Sequence, residues 1–421
     1  MKNVFLIGNG FDLHHKLPTK YFDFMCVADY LKNNNLFSPI TIADVLSNPK
    51  IYGKSKSIDN CYDTYKEYFE NITIDFSKLT KIPELVHDNI WFDYFMRTLN
   101  TEQGWVDFEK EISFVLERLN SLIPNGNSVL IPKDSEVDAF ILSNFRFFVD
   151  IDSNEEIYDN MYLEIKDEYL REYPINSSIF IADKDAIVKF LYENLMKLKS
   201  ALSLYLECFV ESTLDCLKSF DCVPFNKVQL LEWGDDFITF NYTNTLEKLY
   251  CKNKPHHIHG SINSSNIVLG INPNESDNVG TENTTFIKFK KYYQREIFKT
   301  DSEYIDWYRK YIKSETYYRI IVIGHSLDIT DSDILKTLFS KAQEIYISYY
   351  RDEDRDDYMS NIVRMFGSEG FSNFKNDKKM VFISLSDLNS IQKDIEPEKI
   401  KCEITTGCYS FDGVGKKIEV I

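Results

Sequence analysis

The chain has 421 residues, of which 48 are basic and 66 acidic, so its formal charge is −18. This negative charge repels phosphate backbones and disfavours a nucleic-acid partner. No apolar run forms a signal peptide or approaches the roughly 18 residues of a membrane span, so we expect a cytoplasmic protein without a membrane partner.

The first two regions of the chain differ in the spacing of their apolar residues. NVFLI (3–7) is typical of a buried strand and ends at Gly8-Asn9-Gly10. Residues 19–226 have apolar residues at helical spacing. One example is WVDFEKEISFVLERLNSLI, in which Ile112, Val115, Leu116, Leu119 and Ile123 share a face. Another is a run of about 35 residues from Ala186, which predicts one long helix or two helices joined by a tight break.

From residue 227 onward, the period changes to short apolar runs that are typical of buried strands. These are VQLL (228–231), FITF (237–240), IVLGI (267–271), RIIVIG (319–324), EIYISYY (344–350) and MVFISL (380–385). DILKTLFSKA (333–342) is typical of a helix, and the alternation of strand, helix and strand indicates a parallel α/β sheet. We therefore predict one discontinuous α/β domain, formed by residues 1–18 and 227–421, with residues 19–226 as a helical insertion after the first strand.

Polar or glycine-containing segments follow four of the predicted strands. They are Gly8-Asn9-Gly10-Phe11-Asp12, Asn241-Tyr242-Thr243-Asn244, His257-Ile258-His259-Gly260 and Gly324-His325-Ser326-Leu327. Ligands of open parallel sheets bind beyond the carboxyl ends of the strands. We therefore expect these four segments to meet at one edge of the sheet.

The first turn suits a phosphate, because its glycines let the backbone N–H groups approach an anion closely. Asp12 either contacts a ribose hydroxyl or caps the next turn, and Thr19 is expected to cap the helix that follows. Asn241 either positions a ribose or a water or holds its own turn together.

His259 is the candidate general base, since histidine titrates near neutral pH, with a structural histidine as the alternative. His257 and His259 would face the same side of a strand, a spacing that also suits a metal.

These motifs resemble those of the AbiH family, bacterial proteins associated with abortive infection of phage-infected cells. The opening LIGNGFDLHHKLPTKYFDF is similar to the family signature, and FITFNYTNTLEKLY, HIHG and IGHSLDITD are similar to its later motifs. WVDFEKEI, with Trp105, Asp107 and Glu109, resembles the pattern of its helical region. The resemblance implies a role in antiviral defence and leaves open a phage-derived trigger and a homo-oligomer.

The same motifs resemble distant versions of the sirtuin fold, a Rossmann-type fold that binds NAD. The likeness is carried by Gly8, Gly10 and Leu17-Pro18, by Thr239, Asn241 and Thr243, by His259-Gly260, and by Gly324, Ser326 and Leu327. It implies catalytic roles for His259 and Asn241. It also implies nucleotide contacts from Gly8, Asn9, Gly10, Asp12, Thr239, Gly324 and Ser326.

The sequence departs from the sirtuin pattern at several positions. Asp12 replaces a serine, Lys16 stands where a glycine is usual, and Thr243 replaces an acidic residue. The four zinc cysteines have no counterpart, so we expect neither a zinc site nor a protein deacylase. The resemblance instead implies NAD as a substrate or ligand and hydrolysis of NAD as the activity. Two alternatives remain open: a sensor that binds NAD or ADP-ribose without cleaving it, and a metal-dependent nuclease or phosphohydrolase that uses His257, His259 and Asp12.

Overall fold

A computed structural model describes residues 1–99, 107–122, 130–132, 145, 148–150, 162–173, 176–219, 228–250, 254–271, 284–300, 302–312, 317–377 and 379–391. Its largest sheet is parallel and six-stranded. The strands of this sheet are β1 (Lys2–Ile7), β7 (Asp236–Thr239), β8 (His256–His257), β9 (Tyr318–Ile323), β10 (Glu344–Tyr349) and β11 (Met380–Ser384). They lie in the order β11-β10-β9-β1-β7-β8. The fold is therefore mixed α/β with a parallel sheet, as the strand and helix patterns predict.

Strand β1 lies in the middle of the sheet, between β9 and β7, although the chain from residue 8 to 235 separates β1 from β7. Val4 and Leu6 belong to the apolar core on one face of the sheet, and Phe5 and Ile7 belong to the core on the other face. All four are buried, which explains why the run has no polar position. The carboxyl end of β1 is therefore next to the carboxyl ends of both neighbouring strands.

Helices dominate the described residues between β1 and β7. They are α1 (Asn9–His14), α2 (Tyr21–Lys32), α3 (Ile42–Leu46), α4 (Lys56–Phe69), α5 (Phe76–Leu79), α6 (Lys81–Val86), α7 (Ile90–Thr98), α8 (Phe108–Leu122), α9 (Lys184–Tyr205) and α10 (Ser212–Ser219). Ile112, Val115, Leu116 and Leu119 of α8 are buried in one core, as predicted, whereas Ile123 lies outside the described residues. The domain boundaries at residues 18 and 226 remain a prediction.

Two small antiparallel sheets also lie in this part of the chain, which the sequence predicts to be mostly helical. One contains β2 (Leu130–Pro132), β3 (Phe148–Asp150) and β4 (Tyr162–Ile165), and the other contains β5 (Leu170–Tyr173) and β6 (Asn176–Ala182). The strands are three to seven residues long, too short for a clear alternation of apolar and polar residues.

The apolar run that starts at Ala186 forms a continuous helical rod. Helix α9 passes at Leu206 into a π-helical segment, Leu206–Glu211, which continues directly into α10. A π-helical segment accommodates an extra residue without ending the helix, so the rod needs no loop. Of the two predicted alternatives, one long helix or two helices joined by a tight break, the structure shows the first, with the π-helical segment as its only irregularity in residues 184–219.

After β7, the described helices are α11 (Thr245–Tyr250), α12 (Lys291–Phe298), α13 (Ser302–Trp307), α14 (Ser332–Lys341) and α15 (Asp352–Asn376). Helix α14 links β9 to β10 and covers one face of the sheet with Leu335, Leu338 and Phe339. In the part of the chain that the structure describes, no helix is both long and apolar enough to span a membrane.

Three local predictions are wrong. VQLL forms a 3₁₀ helix, Gln229–Trp233, and IVLGI contributes only an isolated bridge between Ile271 and Lys290. Both runs are apolar because they are buried without strand pairing, VQLL in the core on one face of the sheet and IVLGI in the core of the helical region. Thr19 does not cap α2, because Lys20 occupies the cap position and the Thr19 hydroxyl donates to Asn9 Oδ1 instead.

Candidate functional site

The glycine turns that follow β1 and β9 pack directly against each other. Gly10 N–H donates a 2.7 Å hydrogen bond to the carbonyl of Gly324, and Phe11 N–H donates to the carbonyl of Gly8 at 2.9 Å. A Cβ added to Gly8 would lie 2.5 Å from the Cα of His325, so this approach requires glycine. Because Gly10 and Phe11 use their N–H groups within the protein, this conformation does not offer them to the phosphate that the sequence predicts there.

Asp12 is buried beneath this turn and connects it to the loop after β7. Thr243 Oγ1 donates a 2.6 Å hydrogen bond to Asp12 Oδ2, while Oδ1 is buried without a hydrogen-bond partner among the described residues. Burial raises the pKa of Asp12 to about 7, although hydrogen bonds from Thr243 and Thr245 oppose the rise. The carboxyl group therefore neither caps the next turn nor faces solvent, and it holds a proton over much of the range below pH 7.

Asn241 ties the end of β7 to the end of β1. Its Nδ2 donates a 3.1 Å hydrogen bond to the carbonyl of Gly8, and its backbone N–H donates to Thr239 Oγ1 at 3.1 Å. Both Thr239 and Asn241 are buried. In this conformation, Asn241 thus has the turn-holding role that was one of its two predicted roles.

A cluster of buried charges lies where helix α8 and helix α12 meet the segment before α14. Lys291 Nζ lies 2.7 Å from Glu109 Oε2 and 2.9 Å from Asp331 Oδ1. Burial, and to a lesser degree the negative charge of Asp331, raises the pKa of Glu109 to about 7, although the ammonium of Lys291 opposes the rise. Burial also acts to raise the pKa of Asp331, but the interactions with Lys291 and His259 outweigh it and hold the pKa well below its usual range. The two carboxyl groups that share Lys291 therefore differ widely in acidity.

His259 lies beside this cluster and is 5% exposed. Its Nε2 is 3.0 Å from Asp331 Oδ1, an ion-pair distance, but the pair lacks hydrogen-bond geometry. Burial lowers the pKa of His259 to about 4, although Asp331 favours the charged form. The imidazole is therefore neutral at pH 7, in the form that can accept a proton.

His325 approaches Asp331 from the other side. Its Nε2 lies 3.4 Å from Asp331 Oδ2, and its Nδ1 accepts a 2.9 Å hydrogen bond from the backbone N–H of Leu327. The ring of Phe240 contacts both imidazoles, with centroid distances of 5.4 Å to His259 and 4.3 Å to His325. Residues from the HIHG and IGHSLDITD motifs thus meet around one carboxylate.

Two of the predicted nucleotide contacts lie at the surface. Asn9 and Ser326 are exposed, whereas Gly8, Asp12, Thr239 and Gly324 are buried and Gly10 is half-buried. The Tyr350 hydroxyl, also at this surface, donates to the carbonyl of Gly10 at 3.1 Å. The structure thus brings the predicted residues to one edge of the sheet, but only Asn9 and Ser326 face solvent there.

The histidines of the HIHG segment do not pair as a metal site would require. His257 contacts Glu247 Oε1 at 2.8 Å through Nε2, whereas His259 contacts Asp331. Strand β8 ends at His257, so the alternation that would place both rings on one side does not extend to His259. Among the described residues, no group of three or more histidine, cysteine, aspartate or glutamate side chains is arranged to hold a metal ion.

Sequence reasoning missed the central residues of the cluster. Lys291 lies in a lysine-rich stretch, and its sequence context does not distinguish it from neighbouring surface lysines. Asp331 is the residue before α14, but its side chain makes no capping hydrogen bond and points to Lys291 instead. Glu109 could have been found, because it lies in the WVDFEKEI motif; Trp105 of that motif is outside the described residues.

The arrangement provides groups suited to proton transfer in a water-poor environment. Asp12 and Glu109 have pKa values near neutrality, and His259 is neutral, so protonated and unprotonated groups coexist at pH 7. Acid–base catalysts depend on environments that separate the pKa values of neighbouring groups in this way.

The sequence profile of the family described as bacteriophage abortive infection AbiH matches residues 4–350. The chain belongs to the AbiH family. No curated protein and no solved structure gave a significant match. The AbiH match includes all four strand-end segments, the helical region and the charged cluster, so each of these belongs to the part of the chain that defines the family.

Proposed function

We propose that this AbiH protein is an anti-phage effector that binds an NAD-type nucleotide at the carboxyl edge of its large sheet and hydrolyses the bond to nicotinamide. The strand order is the observation that carries the proposal. Numbered along the chain and read from β8 to β11, the six strands have the order 3-2-1-4-5-6. Dinucleotide-binding sheets of the Rossmann type, to which sirtuins belong, have this order.

The position of the glycine turns supports a nucleotide site. The order of such a sheet reverses between its first and fourth strands, here β1 and β9, and nucleotides bind at that reversal. Gly8 and Gly10 follow β1, and Gly324 follows β9. The exposed side chains of Asn9 and Ser326 lie on the same turns and are available to a ligand. Residues 19–226 would then be an insertion in a sirtuin-like fold.

The buried groups suit cleavage of a nicotinamide–ribose bond. Nicotinamide leaves as a neutral molecule, so the reaction requires no strong general acid, and positive charge develops on the ribose as in glycoside hydrolysis. Such an electrophilic carbon reacts with water that a weak base assists, and neutral His259 is a base of that kind. In this proposal, Asn241 positions the ribose and Asp12 contacts its hydroxyl groups.

The closed turns imply that the effector rests in an inactive conformation. Gly10 N–H and the amide of Asn241 are both satisfied within the protein. In this proposal, the turns separate when the protein becomes active, which frees both groups for the nucleotide. A phage-derived trigger would favour the open form through its higher affinity for it.

The same hydrogen bonds favour a second candidate function, a sensor that binds NAD or ADP-ribose without cleaving it. A sensor needs only the exposed rim at Asn9 and Ser326 and does not require access to His259. The two functions differ in whether nicotinamide is released.

The test uses full-length protein, NAD and a chromatographic assay of free nicotinamide, with calorimetry for binding. We expect nicotinamide release by protein purified from phage-infected cells, which falls at least 100-fold in His259→Gln and persists in His87→Gln, a control because His87 is an exposed residue of the helical region. Saturable NAD binding without release, in resting protein and in protein from phage-infected cells alike, would establish the sensor instead. Absence of both binding and release, in resting protein and in protein purified from phage-infected cells, would refute both candidates. Phage plating on cells with and without the gene tests the family role separately.

A further inference from the structure

Tyr350 directly follows β10 and lies beside the glycine turn that follows β1. Its hydroxyl donates a 3.1 Å hydrogen bond to the carbonyl of Gly10, yet 41% of the residue's surface is exposed. The hydrogen bond fixes the hydroxyl end of the side chain against the turn. An aromatic ring is therefore held at the carboxyl edge of the sheet, close to the point between β1 and β9 where the strand order reverses.

The ring of His14 extends this aromatic surface. His14 is the last residue of α1, and its ring centroid lies 5.9 Å from that of Tyr350, with the ring planes inclined at 48°. His14 is half-buried, so both rings reach the surface beside the same turn. Aromatic side chains bind nucleobases by stacking, because every base has a flat face of π electrons. The surface beside the turn is therefore suited to a planar ring.

The charges that follow Tyr350 favour a neutral ring over a phosphate. Residues 351–357, with the sequence RDEDRDD, contain five carboxylates and two guanidinium groups, which leaves a net charge of −3. Asp354 accepts a hydrogen bond from the backbone N–H of Arg351 at the start of α15, so this group is not offered to an anion. A phosphate would be repelled by this segment, whereas an adenine ring carries no charge.

We propose that Tyr350 binds the adenine base of the nucleotide by stacking, and so selects a dinucleotide over nicotinamide mononucleotide, an assignment that rests on the proposed function of the strand-end site. In that function, the nicotinamide ribose lies at Asn241 and His259, which follow β7 and β8 on one side of β1. Strand β10 lies on the other side of β1. A dinucleotide whose pyrophosphate crosses the glycine turns therefore extends its second base toward Tyr350.

Calorimetry tests the assignment with NAD and with nicotinamide mononucleotide, which lacks the adenosine half. The full-length protein is used, both resting and purified from phage-infected cells. Loss of an aromatic stacking partner weakens base binding about 5- to 150-fold, so Tyr350→Leu should lower NAD affinity at least fivefold. It should leave the affinity for the mononucleotide unchanged. Tyr350→Phe retains the ring and should bind NAD as the native protein does.

Tyr317→Leu is the matched control. Tyr317 is also an exposed tyrosine, but it precedes β9 and thus lies at the opposite edge of the sheet, so its replacement should leave NAD affinity unchanged. Thermal unfolding of each variant excludes misfolding. All three should unfold at about the native temperature, because both tyrosines are exposed.

A photolabelling measurement locates the base without any substitution. NAD that carries an azidoadenine base should, on irradiation, label a peptide that contains Tyr350 or His14, and excess NAD should prevent the labelling. Label confined to other peptides would overturn the assignment.

The affinities separate failure of this assignment from failure of the proposed function. Equal NAD affinity in Tyr350→Leu and native protein would overturn the assignment and leave the proposed function intact. An equal loss in Tyr350→Leu and Tyr350→Phe would also overturn it, since the hydroxyl rather than the ring would then be responsible. Native protein that binds no NAD in either preparation would refute the proposed function and the assignment with it.

Discussion

Glu109 of helix α8 and Lys291 of helix α12 are held 2.7 Å apart in the interior of the protein, 182 positions apart in the chain. Asp331 lies on the other side of the same ammonium, at 2.9 Å. One buried positive charge thus connects the helical region to the segment that follows β9. Its removal tests how much the fold depends on this connection.

Lys291→Met should lower the free energy of unfolding by about 3–5 kcal/mol, because it leaves two buried carboxyl groups without their counter-charge. Urea denaturation measures the effect. Lys254→Met is the control, since Lys254 forms an exposed ion pair with Glu303 and should change stability little. Glu109→Gln in the Lys291→Met background should recover part of the loss, and the absence of any recovery would contradict the proposed pairing.

The raised pKa of Asp12 predicts a pH-dependent stability. The folded state retains this proton up to about pH 7, whereas the unfolded state releases it near pH 3.8. Between these values, the native protein should therefore lose stability relative to Asp12→Asn as pH rises, by at most roughly 1.4 kcal/mol per pH unit. Above about pH 7 the difference should be constant. Urea denaturation of both proteins from pH 4.5 to 8.5 measures it, and a pH-independent difference would show that Asp12 is ionised throughout.

His259 should not bind a proton in the folded protein between pH 5 and 8, because burial lowers its pKa to about 4. Its contribution to stability should be complete above about pH 7 and decline as pH falls below 6.5, since the unfolded state then binds the proton more tightly. NMR of ¹³C-labelled imidazoles, assigned with His259→Gln, measures the protonation directly. A midpoint near 6.5 would mean that the ring reaches solvent.

Gly8→Ala should destabilise the protein by about 1–3 kcal/mol or more, because its Cβ would meet the backbone of Gly324 and His325. Gly53→Ala is the matched control: Gly53 has a φ of +86° but no atom within 4 Å of the added Cβ, so only backbone strain contributes. Thermal unfolding compares the two variants. If Gly8→Ala is no worse than Gly53→Ala, the turns of β1 and β9 move apart readily, which would support an accessible nucleotide site.

The central strands of the sheet could be predicted from sequence because burial on both faces leaves an unbroken apolar run in each, residues 4–7 and residues 320–323. This holds for β1 and β9, and for the helix that follows β9. The same reasoning wrongly predicts strands for VQLL and IVLGI, whose apolar residues fill a core without pairing as strands. The spacing of apolar residues shows which side chains are buried. It does not show whether a buried run pairs with a neighbouring strand.

The strand-end motifs predict which edge of the sheet carries the polar side chains, but not which hydrogen bonds and ion pairs those side chains form. Asn241 could be placed after β7, yet its hydrogen bond to Gly8 depends on strand neighbours 233 positions apart. The charge of Lys291 is visible in the sequence, whereas its burial depends on how α12 packs against α8. Long-range packing of this kind leaves no local pattern.

The π-helical segment at Leu206–Glu211 has a consequence for sequence change in this family. Each residue of a regular helix advances the rod by about 100°. The π-helical turn holds one residue more than an α-helical turn, so deletion of one residue here would restore a regular α-helix and leave the buried Leu214 and Leu217 facing the core. A related chain can therefore lack one residue between Tyr205 and Ser212 and keep the same buried face, whereas one residue lost from the regular part of the rod would turn every later side chain by about 100°.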